Sequence, residues 1–221
     1  MATKRKNIAP QDARSRILAA GLEAFSSIGF EGASLRQIAT LADVQHQLVV
    51  YHFKTKDILW REVISFVLEK NEQTREPSYW IDKLKHEEPA SVLGDMVHAL
   101  VAFTAQYPEF TRLVTFEGQT DSERLRWLLK THVRPYYKLF TNTIMVAQKA
   151  GVARAGDPGQ LFYALIGLVT MGLVSAHEYR IMTGKDPSSP KEIEKLIDLA
   201  YDVLCPGHAI PKGVGDSHMD R

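Results

Sequence analysis

Between residues 34 and 56 the chain carries side chains that can hydrogen-bond to phosphate groups and to the edges of bases. The set that helical spacing places outward contains no acidic residue and comprises Arg36, Gln37, Gln45, His46, Gln47, Tyr51 and His52. Arginine pairs well with guanine and glutamine with adenine, while hydroxyl and cationic groups bind phosphate. An acidic side chain here would be repelled by the nucleic-acid backbone. The pattern therefore favours a surface that binds DNA.

Two short helices must position these side chains. Ser34 and Gln37 have the S-x-x-Q spacing of a capping box, which predicts a helix from Ser34 to about Leu41. A third helix is predicted over 45–52, after a tight turn, and a first helix over about 11–28, where Gly29 ends it. The apolar residues that would face the first helix are Leu35, Ile38, Ala39, Val44, Leu48 and Val49. This is the helix-turn-helix layout, whose second helix lies in the major groove.

The charge distribution supports the same interpretation. Residues 1–56 hold 8 Lys and Arg against 4 Asp and Glu, whereas residues 57–221 hold 19 against 22. Basic character is thus concentrated in the part of the chain that would meet a polyanion. The run Lys4-Arg5-Lys6 is either a solvated tail or an arm that reaches DNA, and the sequence leaves both open.

Residues 14–64 resemble the TetR/AcrR family of regulators. The matching stretches are Arg16-Ile17-Leu18-Ala19-Ala20, Phe25, Gly29-Phe30, Ser34-Leu35-Arg36-Gln37-Ile38-Ala39, Ala42-Asp43-Val44 and Tyr51 through Leu59. The resemblance implies a three-helix DNA-binding head followed by a helical body that binds a ligand and dimerises. It also implies double-stranded operator DNA as the partner.

The resemblance implies a role for each matching position in the head. Ser34 and Lys56 would meet phosphate, Arg36 would lie at the groove, and Tyr51 and His52 would contact the DNA backbone. The residues that would head the recognition helix are Gln45, His46 and Gln47. Two positions depart from the family: Gln47 stands where a small residue is usual, and Val50 where tyrosine is common.

Helical spacing continues through the rest of the chain and predicts an all-α fold of about nine helices. A fourth helix, about 56–73, would link the DNA-binding domain (1–56) to a ligand-binding and dimerisation domain (57–205), followed by a loose tail (206–221). The further helices are predicted over 91–106, 108–116, 122–150, 158–182 and 190–204. Pro135 should kink or locally open the helix that contains it.

An aromatic and polar set on the middle helices has the composition of a small-molecule pocket, which is mostly apolar with a few placed polar groups. The predicted ligand-binding residues are Phe103, Tyr107, Phe110, Glu117, Trp127, His132, Tyr136, Phe140 and Phe162. Because cationic residues are scarce among them, a hydrophobic or aromatic ligand is favoured. Aromatics at helical spacing also occur in plain cores, so that alternative stays open.

The last two long helices each carry an apolar stripe, and two stripes from each subunit would form a four-helix homodimer interface. The predicted interface residues are Leu161, Leu165, Leu168, Gly172, Ile193, Leu196, Ile197 and Ala200. Part of each stripe would be buried within one subunit.

Enzyme motifs are absent from the sequence, which contains no Glu-x-x-His pair, nucleophile elbow, P-loop or Rossmann fingerprint. No metal or cofactor is predicted, no membrane span is long enough, and a cytoplasmic location is expected. The single Cys205 is either a structural or a redox-sensing thiol. The favoured function is a ligand-responsive repressor, and the alternative is a helical binding protein with a vestigial DNA head.

Overall fold

The computed structural model describes residues 10–70 and 77–208, and every regular element in these ranges is helical. The α-helices are α1 (Pro10–Gly32), α2 (Leu35–Leu41), α3 (His46–Phe53), α4 (Lys56–Lys70), α5 (Pro77–His86), α6 (Pro89–Gln106), α7 (Pro108–Glu117), α8 (Glu123–Leu128), α9 (Arg134–Lys149), α10 (Pro158–Val174), α11 (Ala176–Thr183) and α12 (Pro190–Leu204). A π-helical turn, Leu129–Val133, lies between α8 and α9. The predicted all-α fold class is confirmed. The basic run at residues 4–6 and residues 209–221 of the predicted tail lie outside the described residues.

Contacts divide the described chain into two compact units. The first unit contains the described residues of Met1–Lys70 together with Glu109–Arg126. The second contains those of Asn71–Pro108 and Trp127–Arg221. The first unit therefore holds the predicted DNA-binding helices and also α7, which follows them in sequence by some distance.

The local structure of the first unit follows signals that are visible in the sequence. Gly29 breaks α1 with φ 70° and ψ 176°, in the left-handed region that glycine adopts without a steric cost. The predicted capping box at the start of α2 is confirmed: Ser34 Oγ accepts from the Gln37 N–H at 3.2 Å, and Gln37 Oε1 accepts from the Ser34 N–H at 2.9 Å. These bonds satisfy two amide groups that a helix start would otherwise leave unpaired.

The core of the first unit packs α1 against the other three head helices. Residue 21 must be small, because a Cβ on Gly21 would lie 2.9 Å from Val63 Cγ2 of α4. Ile38, Ala39 and Val49 are buried, as the spacing predicts. The largest fully buried side chains of this unit include Ile17, Leu18, Phe25, Ile38, Phe53, Leu59, Trp60 and Ile64. Burial of this apolar surface fixes the geometry of the two short helices.

The turn between α2 and α3 is held from α1. Asp43 has φ 51°, a left-handed conformation that aspartate tolerates better than most residues. Arg16 Nη2 donates to the carbonyl oxygen of Asp43 at 3.1 Å. This bond stabilises the turn and with it the angle between the two helices.

The second unit has its own core, built from α5, α6, α9, α10 and α12. Its fully buried members include Val92, Leu93, Val97, Val101, Ile144, Leu165, Val169 and Ala200. An ion pair joins α5 to α6, with Lys83 Nζ 2.5 Å from Asp95 Oδ2, and the Asp95 side chain is only 5% exposed. A buried carboxylate needs such a partner to offset its lost hydration.

Two elements differ from the predicted set of about nine helices, and a third has the interruption that its proline predicts. The chain forms a helix, α5, from Pro77, because proline is well suited to the first helical position, where its missing N–H is not needed. The predicted helix over 158–182 is two helices, α10 and α11, which break at Ser175. The helix over 122–150 opens before Pro135, as predicted: the Arg134 N–H bonds to Leu129 O, five residues back.

No single helix within residues 10–70 and 77–208 is both long enough and apolar enough to cross a membrane. Taken together, α10 and α11 meet the length and composition requirement, but they are bent by 79° where they join.

Candidate nucleic-acid interface

The predicted DNA-contacting side chains gather at the start of α2 and along α3. Ser34, Arg36, Gln45 and Gln47 are exposed, and His46 is half-buried. Gln45 is the N-cap residue of α3, and its side chain makes no capping hydrogen bond there. Its amide and that of Gln47 are therefore available to a partner. This edge of the first unit therefore carries both hydrogen-bond donors and hydrogen-bond acceptors. Neither α2 nor α3 contains a carboxylate.

The C-terminal half of α3 presents one hydroxyl and one apolar side chain. Tyr51 is 78% exposed, and Val50 beside it is also exposed. His52 is half-buried, and its Nε2 is buried without a hydrogen-bond partner in the described structure. Its ring lies edge-on to that of Tyr51, with 5.3 Å between the centroids. Tyr51 is thus better placed than His52 to reach a phosphate, and Val50 can make only apolar contacts.

Lys56 is engaged within the first unit. Its ammonium donates to Phe30 O at 2.8 Å and to Ala33 O at 3.0 Å. The same nitrogen lies 4.3 Å from the centroid of the Phe30 ring. These contacts tie the start of α4 to residues 30–34, which follow the break of α1 at Gly29, lead into α2 and are called the α1–α2 loop below. They give Lys56 a structural task beside its predicted contact with phosphate.

A cation that the sequence reasoning missed lies between Tyr51 and Lys56. Lys54 follows α3 in a left-handed conformation with φ 57°, and its side chain is exposed. Within the described residues no carboxylate pairs with it. Its place in the sequence directly after α3, close to the predicted backbone contacts Tyr51 and His52, is the signal that makes it a further candidate for contact with phosphate.

The predicted ligand-binding residues fall into separate groups. Phe110 and Glu117 belong to the first unit, while the others belong to the second. In the second unit, Phe103 lies 5.4 Å from Tyr107 between ring centroids. Phe140 and Phe162 are 5.6 Å apart and lie in the apolar core, where they pack as ordinary core residues. Tyr136 is half-buried near the start of α9.

The π-helical turn carries the histidine of the predicted ligand-binding set. His132 lies in this turn, with its ring edge-on to that of Trp127 at 5.1 Å. Its Nε2 is buried and has no partner among the described residues. Burial lowers the pKa of His132, because the charged imidazolium would lose its hydration. A neutral imidazole with an unsatisfied nitrogen can hydrogen-bond to a polar group on a ligand, and π-helical turns occur often at functional sites.

Glu117 has both carboxylate oxygens occupied. One accepts from the hydroxyl of Ser122, and the other lies 3.3 Å from Nε of Arg124. Its predicted role of orienting a ligand therefore has no support from its surroundings.

The predicted dimer residues are only partly available at the surface. Leu165 and Ala200 are fully buried within the single chain, so they belong to its core and not to an interface, which corrects the sequence prediction. The six others, Leu161, Leu168, Gly172, Ile193, Leu196 and Ile197, are half-buried. Exposed apolar side chains lie beside them on α10 and α12, notably Met171 and Leu199.

A cavity of about 500 Å³ opens between α10, α11 and α12. Its lining includes Leu168, Gly172 and Leu196 of the predicted dimer surface. Its polar lining includes Tyr179, whose hydroxyl donates to Glu192 Oε2 at 2.9 Å. This cavity is thus formed by the helices predicted to dimerise, not by those around Pro135.

Cys205 is fully buried beside Tyr201 at the end of α12. Burial raises the pKa of the Cys205 thiol, so little of the reactive thiolate forms. Of the two alternatives for this residue, the surroundings favour the structural one.

Two short helices joined by a turn and packed on α1 and α4 define a helix-turn-helix protein. Residues 17–63 match the model described as "Bacterial regulatory proteins, tetR family", and residues 89–204 match "Tetracyclin repressor-like, C-terminal domain". The second match alone covers more than half of the chain. The protein belongs to the TetR family, which confirms the resemblance seen over residues 14–64.

Similar proteins agree with this assignment. The HTH-type transcriptional regulator RutR of Escherichia coli K12 is 29% identical over 119 residues, which are 52% of this chain and 52% of RutR. The HTH-type transcriptional repressor NicS of Pseudomonas putida KT2440 is 27% identical over 121 residues, 53% of this chain and 55% of NicS. The chain thus spans about half the length of the curated relatives it matches. A solved HlyIIR mutant protein shares the fold, with a TM-score of 0.71 at 19% identity over 90% of this chain and all of that one.

Proposed function

We propose that the protein is a sequence-specific DNA-binding regulator of transcription, acting as a ligand-responsive repressor on a palindromic operator. The exposed, non-acidic edge formed by α2 and α3 carries this proposal. Arg36, Gln45 and Gln47 can read base edges there, and Tyr51 can bind phosphate, whereas the Ser34 hydroxyl donates to Gln37 Oε1 at 2.8 Å within the capping box. The printed names of RutR and NicS, a regulator and a repressor, support it. The proposal places the protein in the cytoplasm and assigns it no catalytic role.

Selection of bound sequences from a random DNA library tests the proposal. We expect a palindrome whose half-site centres are about one duplex turn, ~34 Å, apart. The matched control is the Gln45→Ala/Gln47→Ala double variant, which should keep weak general binding and lose the enrichment. If the unaltered chain enriches no sequence, the alternative of a body with a vestigial DNA head is favoured instead.

Homodimer formation is part of the proposal, and the outer face of α10 and α12 supports it. Met171 on α10 is 60% exposed and Leu199 on α12 is 50% exposed, next to the half-buried stripe residues. A stable dimer buries about 800 Å² on each subunit, and apolar side chains such as these form the centre of such surfaces.

Sedimentation of Met171→Asp tests the dimer surface. We expect the unaltered chain to sediment as a dimer and the variant to dissociate at micromolar concentration, because a carboxylate would be buried without a partner. Lys138→Glu, on the exposed face of α9, is the control and should remain a dimer. A dimeric Met171→Asp would place the interface elsewhere.

A small hydrophobic or aromatic ligand is the proposed effector, with the π-helical turn as the best supported part of its site. His132 offers a neutral ring nitrogen without a partner, and Trp127 offers an aromatic face next to it. Phe103 and Tyr107 form a further aromatic pair in the same unit. The core positions of Phe140 and Phe162 make them less suitable as ligand contacts.

A thermal-stability screen with small aromatic alcohols and carboxylic acids tests this site. Compounds that stabilise the chain should lose their effect in His132→Leu and keep it in His86→Leu, a change at an exposed histidine of α5. Equal stabilisation of both variants would exclude His132 from the site.

A further inference from the structure

The segment Glu109–Arg126 belongs to the first unit although it is far from the head helices in sequence. It comprises α7 and most of α8, joined by the short stretch that contains Ser122. The Ser122 hydroxyl accepts from the Leu125 N–H at 2.9 Å and so caps α8, while it donates to the buried Glu117 at the end of α7. The two helices are therefore fastened to each other at this corner.

Arg124 extends from this corner to the α1–α2 loop, residues 30–34, whose first residues form the last turn of α1 beyond the break at Gly29. Its Cζ atom lies 3.5 Å from the centroid of the Phe30 ring, close enough for the guanidinium to stack on the ring. Its edge faces two carboxylates, with Nε 3.3 Å from Glu117 Oε2 and Nη2 3.5 Å from Glu31 Oε1. The Arg124 side chain is only 19% exposed. Only a planar, multidentate cation can stack and donate in its plane at the same time, so lysine cannot replace it fully.

The loop that Arg124 contacts determines where α2 begins. Phe30 directly follows the left-handed Gly29, and the carbonyl oxygens of Phe30 and Ala33 accept from Lys56. The next residue, Ser34, opens α2 and its capping box, two residues before Arg36. A displacement of Phe30 would thus shift the first turn of α2, which carries predicted DNA contacts.

We propose that Arg124 is a positioning residue for the DNA-binding edge. It holds the α1–α2 loop in place through Phe30 and Glu31, and Glu117 with Ser122 orients its guanidinium. Its part in DNA binding rests on the proposed function, while its hold on the loop does not.

Hydrogen exchange on the whole chain tests the hold on the loop without any DNA. In Arg124→Ala, the amides of residues 30–38 should exchange about tenfold faster, equivalent to ~1.4 kcal/mol, while those of residues 59–67 in α4 stay as they were. Arg124→Lys should restore only part of the protection. The control, Arg126→Ala, removes an exposed arginine of the same helix that pairs with Asp121 and should leave both segments unchanged.

Two further results decide between positioning and general stability. In a Phe30→Leu background, Arg124→Ala should add little to the exchange of residues 30–38, because the partner ring is already gone. Operator affinity of Arg124→Ala should fall about threefold to tenfold with an unchanged salt dependence, since no phosphate contact is lost. The proposal would be overturned if residues 30–38 exchanged no faster in Arg124→Ala than in Arg126→Ala. It would also be overturned if the effects of Phe30→Leu and Arg124→Ala on this exchange were fully additive. A chain that binds no DNA would refute the proposed function and leave the exchange result valid.

Discussion

Replacing Lys56 with methionine separates two roles that one lysine could have. The resemblance to the family implies a contact with phosphate, whereas the structure gives the ammonium two carbonyl acceptors and an aromatic ring. If the contacts within the protein dominate, Lys56→Met should destabilise the first unit and leave the number of phosphate contacts unchanged. If phosphate binding dominates, Lys56→Met should lose one phosphate contact per subunit and leave the stability of the first unit unchanged.

The expected magnitude follows from the contacts. A hydrogen bond to a charged group contributes about 1.5–3 kcal/mol, and a cation over an aromatic ring about 0.5–2 kcal/mol. The carbonyl oxygens of Phe30 and Ala33 lie in a partly buried region and would regain some hydration in the variant. We therefore expect the free energy of unfolding to fall by about 2–4 kcal/mol, less than the full sum of these contributions.

Urea denaturation and DNA binding over a salt series provide the assay, with Lys54→Met as the matched control. If each head of the dimer neutralises about three or four phosphates, log K against log[salt] should have a slope near −6 for the unaltered chain. Lys56→Met should keep this slope. Lys54→Met should lessen it by about 0.9 per subunit with little change in stability, because the exposed Lys54 makes no ion pair within the described residues. A stable Lys56→Met variant with a reduced slope would refute the reasoning.

Three other substitutions test separate parts of the structure. Arg36→Ala and Gln47→Ala should each cost about 1–3 kcal/mol on the selected operator and much less on scrambled DNA, which competition binding would show; equal losses on both would mean that neither reads a base. Because burial lowers the pKa of His132, the unfolded chain takes up that proton more readily, so the stability of the unaltered chain should fall as the pH drops below about 6.5. The urea midpoint of His132→Gln should fall less between pH 7.5 and 5.5, and an identical fall would exclude His132 as a cause. Asp95→Asn should destabilise the second unit by about 3 kcal/mol, measured by urea denaturation, because Lys83 would keep only the more exposed Glu87 as a carboxylate partner; a change below the error would show that Glu87 and water replace the pair.

Features set by local sequence could be predicted from the residues alone. The capping box at Ser34 and Gln37 needs only four neighbouring residues, and the break at Gly29 needs only the freedom of glycine to adopt a positive φ. The opening of the helix before Pro135 likewise follows from one missing N–H. The predicted set has no helix over 77–86, because proline disrupts the interior of a helix, whereas Pro77 stands at the first position of α5, where it is tolerated.

Features that depend on distant contacts could not be predicted in this way. Spacing marks Leu165 and Ala200 as apolar on their helices but does not say whether their own chain or a partner covers them. In the same way, the residues next to Lys56 in sequence do not indicate that its ammonium donates to the carbonyl oxygens of residues 30 and 33. The candidate DNA-binding side chains could be predicted because they lie on short helices that the local sequence defines. The side chains that hold these helices in place come from distant parts of the chain.

The side chains that stabilise the candidate DNA-binding edge share one physical feature. Each is a cation that contacts a backbone carbonyl group or an aromatic ring next to α2. Arg16 donates to the turn between α2 and α3, and Lys56 donates to the loop before α2. Arg124 stacks on Phe30 in that same loop. The number of basic residues in the first 56 positions therefore does not equal the number of phosphate contacts, because some of these residues donate hydrogen bonds within the protein. For this reason the salt dependence of DNA binding should be smaller than the number of lysines and arginines in the head would suggest.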